Sequence, residues 1–209
     1  MSDNHTRIFL VRHGATTSTA DDRFAGSSDV ELSAEGLRQA QALGDRLRTV
    51  KIDAAYCSPM HRAIRTANAV VQSHGLTPVQ LPALREIDHG HWEGIPHKQV
   101  EREFAAEYAA WNADPLNTVI PGGESGKAVL ERAMPALKSI VAGHRGQTVL
   151  IVSHKATNRL LIATLMGMDA RRYRDRLGQD VACLNILDFT DVDAARLALL
   201  NDTSHYEGK

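Results

Sequence analysis

Two uninterrupted apolar runs, each delivering a histidine at its end, constrain this chain more than anything else in its 209 residues. IFLV (8–11) runs into Arg12, His13 and Gly14, and TVLIV (148–152) runs into Ser153 and His154. A short run that is apolar at every position reads as a buried-type strand. Further strands are predicted at 53–57, 78–82, 183–189 and 195–200, around the two just named at 6–13 and 148–154. Helices are predicted between them at 33–49, 60–74 and 155–167. Ser33 is a suitable N-cap for the first, and Leu37, Ala40, Leu43 and Leu47 mark its apolar face. Strands alternating with helices favour α/β architecture. In such sheets ligands bind outside the carboxyl ends of the strands, which would bring His13 and His154 to one rim.

The middle of the chain, from about 97 to 145, reads as helical with a loop at DPLNTVIPGGES (114–125). Glu124 and Ser125 are expected to open a helix that Pro135 kinks. No repeat or linker is visible, so one domain over 1–209 is expected.

Formal net charge is only -1, which argues against nucleic acid or an anionic membrane as main partner. Anion chemistry must therefore come from local clusters of cations. Two cysteines, Cys57 and Cys183, give no disulfide framework and suit a reducing compartment. The start, MSDNHTR, has neither the basic nor the apolar region of a signal peptide, and no run is long enough to span a bilayer, so a cytoplasmic location is expected.

Arg-His-Gly alone is a weak motif, and a strand-end histidine bonded to backbone is its ordinary alternative. Two further stretches add company. CSPMHRAIRTA (57–67) places Arg62 and Arg65 near a helix start, where guanidinium and helix N-terminus can act together on an anion. LREIDHGHWEG (84–94) contributes Glu86. Two arginines, two histidines and a carboxylate are what phosphoryl transfer needs without a metal. Arginine forks neutralise the phosphoryl oxygens, an imidazole attacks phosphorus, and a carboxylic acid protonates the leaving oxygen.

RHG, RFAGSSDVELSAEGLRQA (23–40), SPMHRAIRTA, LREIDHGHWEG, PGGES and VSH, in that order, resemble the histidine phosphatase superfamily, the phosphoglycerate mutase-like proteins. The resemblance covers nearly the whole chain. It implies a three-layer α/β/α sandwich with a mostly parallel central sheet and a covalent phosphohistidine on His13. It also implies a phosphate pocket of Arg12, Arg62 and a protonated His154, with Glu86 as proton donor and no cofactor. Residues 97–125 are expected to cap the site, and Trp92, Phe104, Tyr108 and Trp111 could meet the leaving group or fill core.

Departures from the family pattern favour hydrolysis over mutase chemistry. Ser18 and Thr19 stand where Trp and Asn are usual, leaving Thr19 one hydroxyl to offer phosphate. Ala25 and Gly26 are expected to present backbone amides. IDHG follows Glu86 in place of the Arg-His-Tyr-Gly that mutases use. Lys155, directly after His154, is either a solvated lysine or a contact for a second anionic group on a small phosphomonoester substrate. Three rival readings stay open: a Cys57 nucleophile, a metal site among Asp88, His89, His91 and His97, and a non-catalytic phosphate binder. A homodimer through the C-terminal strand is also open.

Overall fold

A computed structural model describes residues 5–20 and 22–207, with the side chains of Thr19 and Ala20 outside that description. In chain order the elements are β1 (Thr6–Arg12), α1 (Thr17–Ala20), α2 (Ala34–Leu47), β2 (Ala54–Cys57), α3 (His61–Val71), β3 (Val79–Gln80), α4 (His97–Glu103), α5 (Ala105–Ala113), α6 (Gly126–Gly143), β4 (Thr148–Ser153), α7 (Lys155–Leu165), α8 (Tyr173–Arg176), β5 (Leu184–Asp191) and β6 (Ala194–Asp202). The six strands form one sheet in the order β3-β2-β4-β1-β5-β6. β3, β2, β4 and β1 are parallel, and β5 is antiparallel to both of its neighbours.

Side chains of successive strand residues point to opposite faces, and β1 is apolar on both. Ile8 and Leu10 pack with Leu137 and Val141 of α6 and Leu160 and Ala163 of α7. Phe9 and Val11 pack on the other side with Leu43 and Leu47 of α2 and Ala67 and Val70 of α3. The result is the expected α/β/α sandwich, and the all-apolar runs are its central strands. Phe24, Trp92, Val100, Trp111 and Ile120 make a third, smaller core with Phe104 and Tyr108 packed against it.

Local signals account for most boundaries. Ser33 caps α2 by accepting from the Gly36 amide, and Ser125 caps α6 by accepting from the Ala128 amide. α6 runs through Pro135 as one helix. The predicted helix over 97–113 divides at Phe104 into α4 and α5. Among the described residues no helix is long and apolar enough to cross a membrane.

Candidate active site

β1 and β4 are hydrogen-bonded neighbours, with Arg12 opposite Ser153. The next residue of each, His13 and His154, therefore leaves the sheet side by side at its carboxyl edge. Their ring centroids are 5.1 Å apart. Gly14 follows His13 because the chain turns tightly onto α2: a Cβ there would lie 2.4 Å from the Gly36 carbonyl oxygen.

His13 Nδ1 donates to the Gly14 carbonyl at 2.8 Å, which leaves Nε2 as the ring's free lone pair. Burial, reinforced by the Arg62 and Arg12 guanidinium groups, holds its pKa well below the usual histidine range. His154 is fully buried and neither ring nitrogen has a partner. Burial first, then Arg62 and His13, push its pKa well down as well. Desolvation and the two guanidinium groups thus work against its cation, so the protonated ring expected during phosphoryl transfer needs a compensating negative charge beside it.

Arg62, on the first turn of α3, is buried and donates to the carbonyls of Ser28 and Gly26 at 2.7 Å each. Arg12 donates through Nη1 to the Gln179 carbonyl at 2.7 Å, while its buried Nε has no partner. Arg65, by contrast, is exposed on the outer side of α3. Glu86 is not carried by a strand; it follows a short 3-10 turn (82–84). Its Oε1 accepts from the amides of Ile87 and Thr157 and from the Thr157 hydroxyl, and its Oε2 accepts from the Ala156 amide. The carboxylate therefore sits on the N-terminal turn of α7.

Arg12, His13, Arg62 and Glu86 border one cavity of about 470 Å³, whose wall also includes Ala25 and Lys155; His154, fully buried beside His13, is not part of that wall. Ala25 and Lys155 fall where the sequence put them. Gly26 does not: its amide donates to Glu93 Oε1 at 3.0 Å, so it is not offered to the cavity. It is glycine because a Cβ would lie 1.8 Å from the Ile87 carbonyl oxygen. Glu93 also accepts from the amides of Ser27 and Ser28, folding the 26–28 loop around a protein carboxylate. Thr19, expected at the phosphate, lies outside the described side chains.

The rival sites look different. Burial pushes the Cys57 thiol up to about 11, the wrong direction for a nucleophile. His91 Nε2 donates to the Glu107 carboxylate at 2.8 Å on the surface, whereas His89 and His97 face the cavity beside Phe24. Among the described residues no three His, Cys, Asp or Glu side chains cluster as a metal site. Trp92, Phe104, Tyr108 and Trp111 pack together as core, and only Trp111 of the four also reaches the cavity wall.

Sequence reasoning missed Arg159, Arg174 and Tyr173, which complete the wall. Arg159 was findable, since it lies one turn after Lys155 on the same helix. It also missed Arg132, whose guanidinium donates to the carbonyls of Ala83, Arg85 and Glu86 and to Glu124, fixing the turn that presents Glu86.

Residues 8–203 match the histidine phosphatase superfamily, branch 1. The chain belongs to the histidine phosphatase superfamily. It is 36% identical over 165 residues to the adenosylcobalamin/alpha-ribazole phosphatase of Escherichia coli K12, spanning 78% of this chain and 81% of that one. Phosphoserine phosphatase 1 of Hydrogenobacter thermophilus is 30% identical over 80% of this chain and 79% of its own length. The crystal structure of the alpha-ribazole phosphatase from Shigella flexneri superposes with a TM-score of 0.84 at 33% identity, covering 94% of this chain and 96% of that one. The six-stranded sheet and its flanking helices are thus those of the phosphoglycerate mutase-like fold seen in that structure.

Proposed function

We propose that this histidine phosphatase hydrolyses a small phosphomonoester through a phosphohistidine on His13, with no metal taking part. The observation that carries the reading is the pair of imidazoles at 5.1 Å on the rim of two adjacent parallel strands, flanked by Arg12 and Arg62.

In the first step the His13 Nε2 lone pair forms a bond to phosphorus as the ester P–O bond breaks. The bond from Nδ1 to the Gly14 carbonyl keeps the reactive nitrogen unprotonated and is ready to stabilise the cationic ring that results. Arg12, Arg62 and His154 face the charge on the phosphoryl oxygens. A bound dianion reverses the electrostatics that keep His154 neutral, so the ring takes up a proton as substrate binds. Glu86 supplies a proton to the departing alkoxide. Its Oε2 is suited to carry it, having a single amide donor against three donors on Oε1. In the second step Glu86 takes a proton from water, the water oxygen bonds to phosphorus, and the N–P bond breaks to release inorganic phosphate.

Residues 97–125 cap this site through His97 and Trp111, and the leaving group lies against Phe24 and these two rings. That the matched relatives are phosphatases supports hydrolysis over transfer back to an alcohol.

Rapid quenching of the protein with a 32P-labelled phosphomonoester should trap one acid-labile, base-stable phosphoryl group per chain. His13→Ala should trap none and lose at least ~10³-fold in kcat. Turnover by His13→Ala near the parent rate would end the proposal.

A further inference from the structure

The cavity is larger than a phosphoryl group needs, and the wall beyond Arg12 is cationic. Lys155 opens α7 and Arg159 follows it by one turn; both line the cavity, as does Arg174 of α8. Like charges one turn apart on a helix repel, so this spacing costs stability unless something else uses it. Among the described residues neither Lys155 nor Arg159 has an ion-pair partner: Glu86 offsets the repulsion only in part and is itself engaged by α7 amides, and Asp175 pairs with Arg172 at 3.0 Å.

Several arginines elsewhere are neutralised, as in Arg46 with Asp202, Arg132 with Glu124 and Arg171 with Asp169. Arg159 has no ion pair among the described residues, and its Nε is buried without a partner. Arg174 is held in place by cap residues: its guanidinium carbon lies 3.7 Å from the Trp111 ring centroid, and Nη1 donates to Asn112 Oδ1 at 2.9 Å. The crowding is visible in proton affinity. Desolvation, then Arg12 and Arg159, push the Lys155 ammonium down to about 8.

We propose that Lys155, Arg159 and Arg174 form a second anion-binding subsite, which takes a carboxylate or a second phosphate carried by the leaving group of the substrate. The assignment rests on the His13 site being where the first phosphate lies. A half-buried guanidinium whose Nε is buried without a partner is costly, and a bound anion at this position would satisfy it with charge-assisted hydrogen bonds. The substrate class is then a dianionic phosphomonoester bearing at least one further negative charge, rather than the phosphate of a neutral alcohol.

Calorimetry on His13→Ala protein, which cannot turn its ligand over by this route, tests the subsite. The ligands are glycerol 3-phosphate, 3-phosphoglycerate and glycerol 1,3-bisphosphate. One or both of the latter two should bind at least about tenfold more tightly than glycerol 3-phosphate, and whichever gains more identifies carboxylate or phosphate as the preferred group. Adding Arg159→Gln should bring that ratio close to one. Lys155→Gln, at an exposed helix start, should lower it several-fold and serves if the buried substitution unfolds the protein. A ratio near one in the parent, or a ratio untouched by both substitutions, overturns the proposal. Phosphate release by the unsubstituted protein is followed separately. Absence of turnover with the binding preference intact would count against the hydrolase reading and leave the subsite standing.

Discussion

His154 combines complete burial and two unpartnered ring nitrogens with a place beside His13, and it is this last feature that separates it from the buried His205. Its low proton affinity comes from desolvation, then Arg62 and His13, and a tetrahedral dianion in the pocket would offset the positive charge around the ring. Anion binding near pH 6 should therefore draw protons from solution, and affinity should rise as pH falls. Titrating with tungstate in buffers of different ionisation enthalpy should show an uptake of up to about one proton, largely removed in His154→Gln. Buffer-independent heats would refute it. The positions of His13, His154, Arg12 and Arg62 were legible because a strand end or helix start fixes where such residues emerge. The destination of the Gly26 amide was not, since its acceptor, Glu93, lies 67 positions away in the chain. Glu93 holds the loop whose carbonyls clamp Arg62. Glu93→Gln keeps the shape but loses a charged acceptor, and should raise KM for phosphomonoesters by about tenfold with a smaller effect on kcat. An unchanged KM would show that Arg62 does not depend on this support.

At the scale of elements, α7 does three things at once: it buries Leu160 and Leu161 under the sheet, receives Glu86 on its first turn, and turns Lys155 and Arg159 to the cavity. The strands and long helices were readable because runs of this length carry a period. α1 and α8, four residues each, carry none, which is why Tyr173 and Arg174 went unseen. The division between α4 and α5 at Phe104 follows from tertiary packing of the aromatic cluster, a choice that local propensity does not record. α6 reaches the site through Arg132. Arg132→Met should leave the fold intact yet release the 83–86 turn, lowering kcat about tenfold or more with little change in phosphate affinity. Equal losses in both parameters, or none, would mean that Glu86 is placed by α7 alone. Ser125→Ala, which removes the α6 cap, should cost about 1 kcal/mol in chemical denaturation without touching that kcat.

Across the whole molecule, burial lowers the proton affinity of His13, His89, His97, His154 and His205, with His205 reaching about 4. A histidine that is neutral in the fold and titrates near 6.5 when unfolded favours the fold above that pH. Below it the unfolded chain binds protons that the native one refuses, so stability drains away as pH falls. Carboxylates held low, Asp202 at about 2 chiefly by Arg46 and Glu93 and Glu124 below their ordinary range, draw on stability only from about pH 5 downward, which leaves the range from there to about 6.5 to the histidines. His205 is the clean probe, because it is buried near Arg46 and Asp202 and is absent from the cavity wall. Denaturation free energy should fall steadily from pH 6.5 to 4, by up to about 1.4 kcal/mol per pH unit for each contributing ring. His205→Gln should lower the plateau near pH 7 but make the acid limb shallower. A limb of unchanged slope in the variant would show that His205 is protonated as easily in the fold as out of it, and that the acid sensitivity belongs to the histidines of the cavity and the sheet edge.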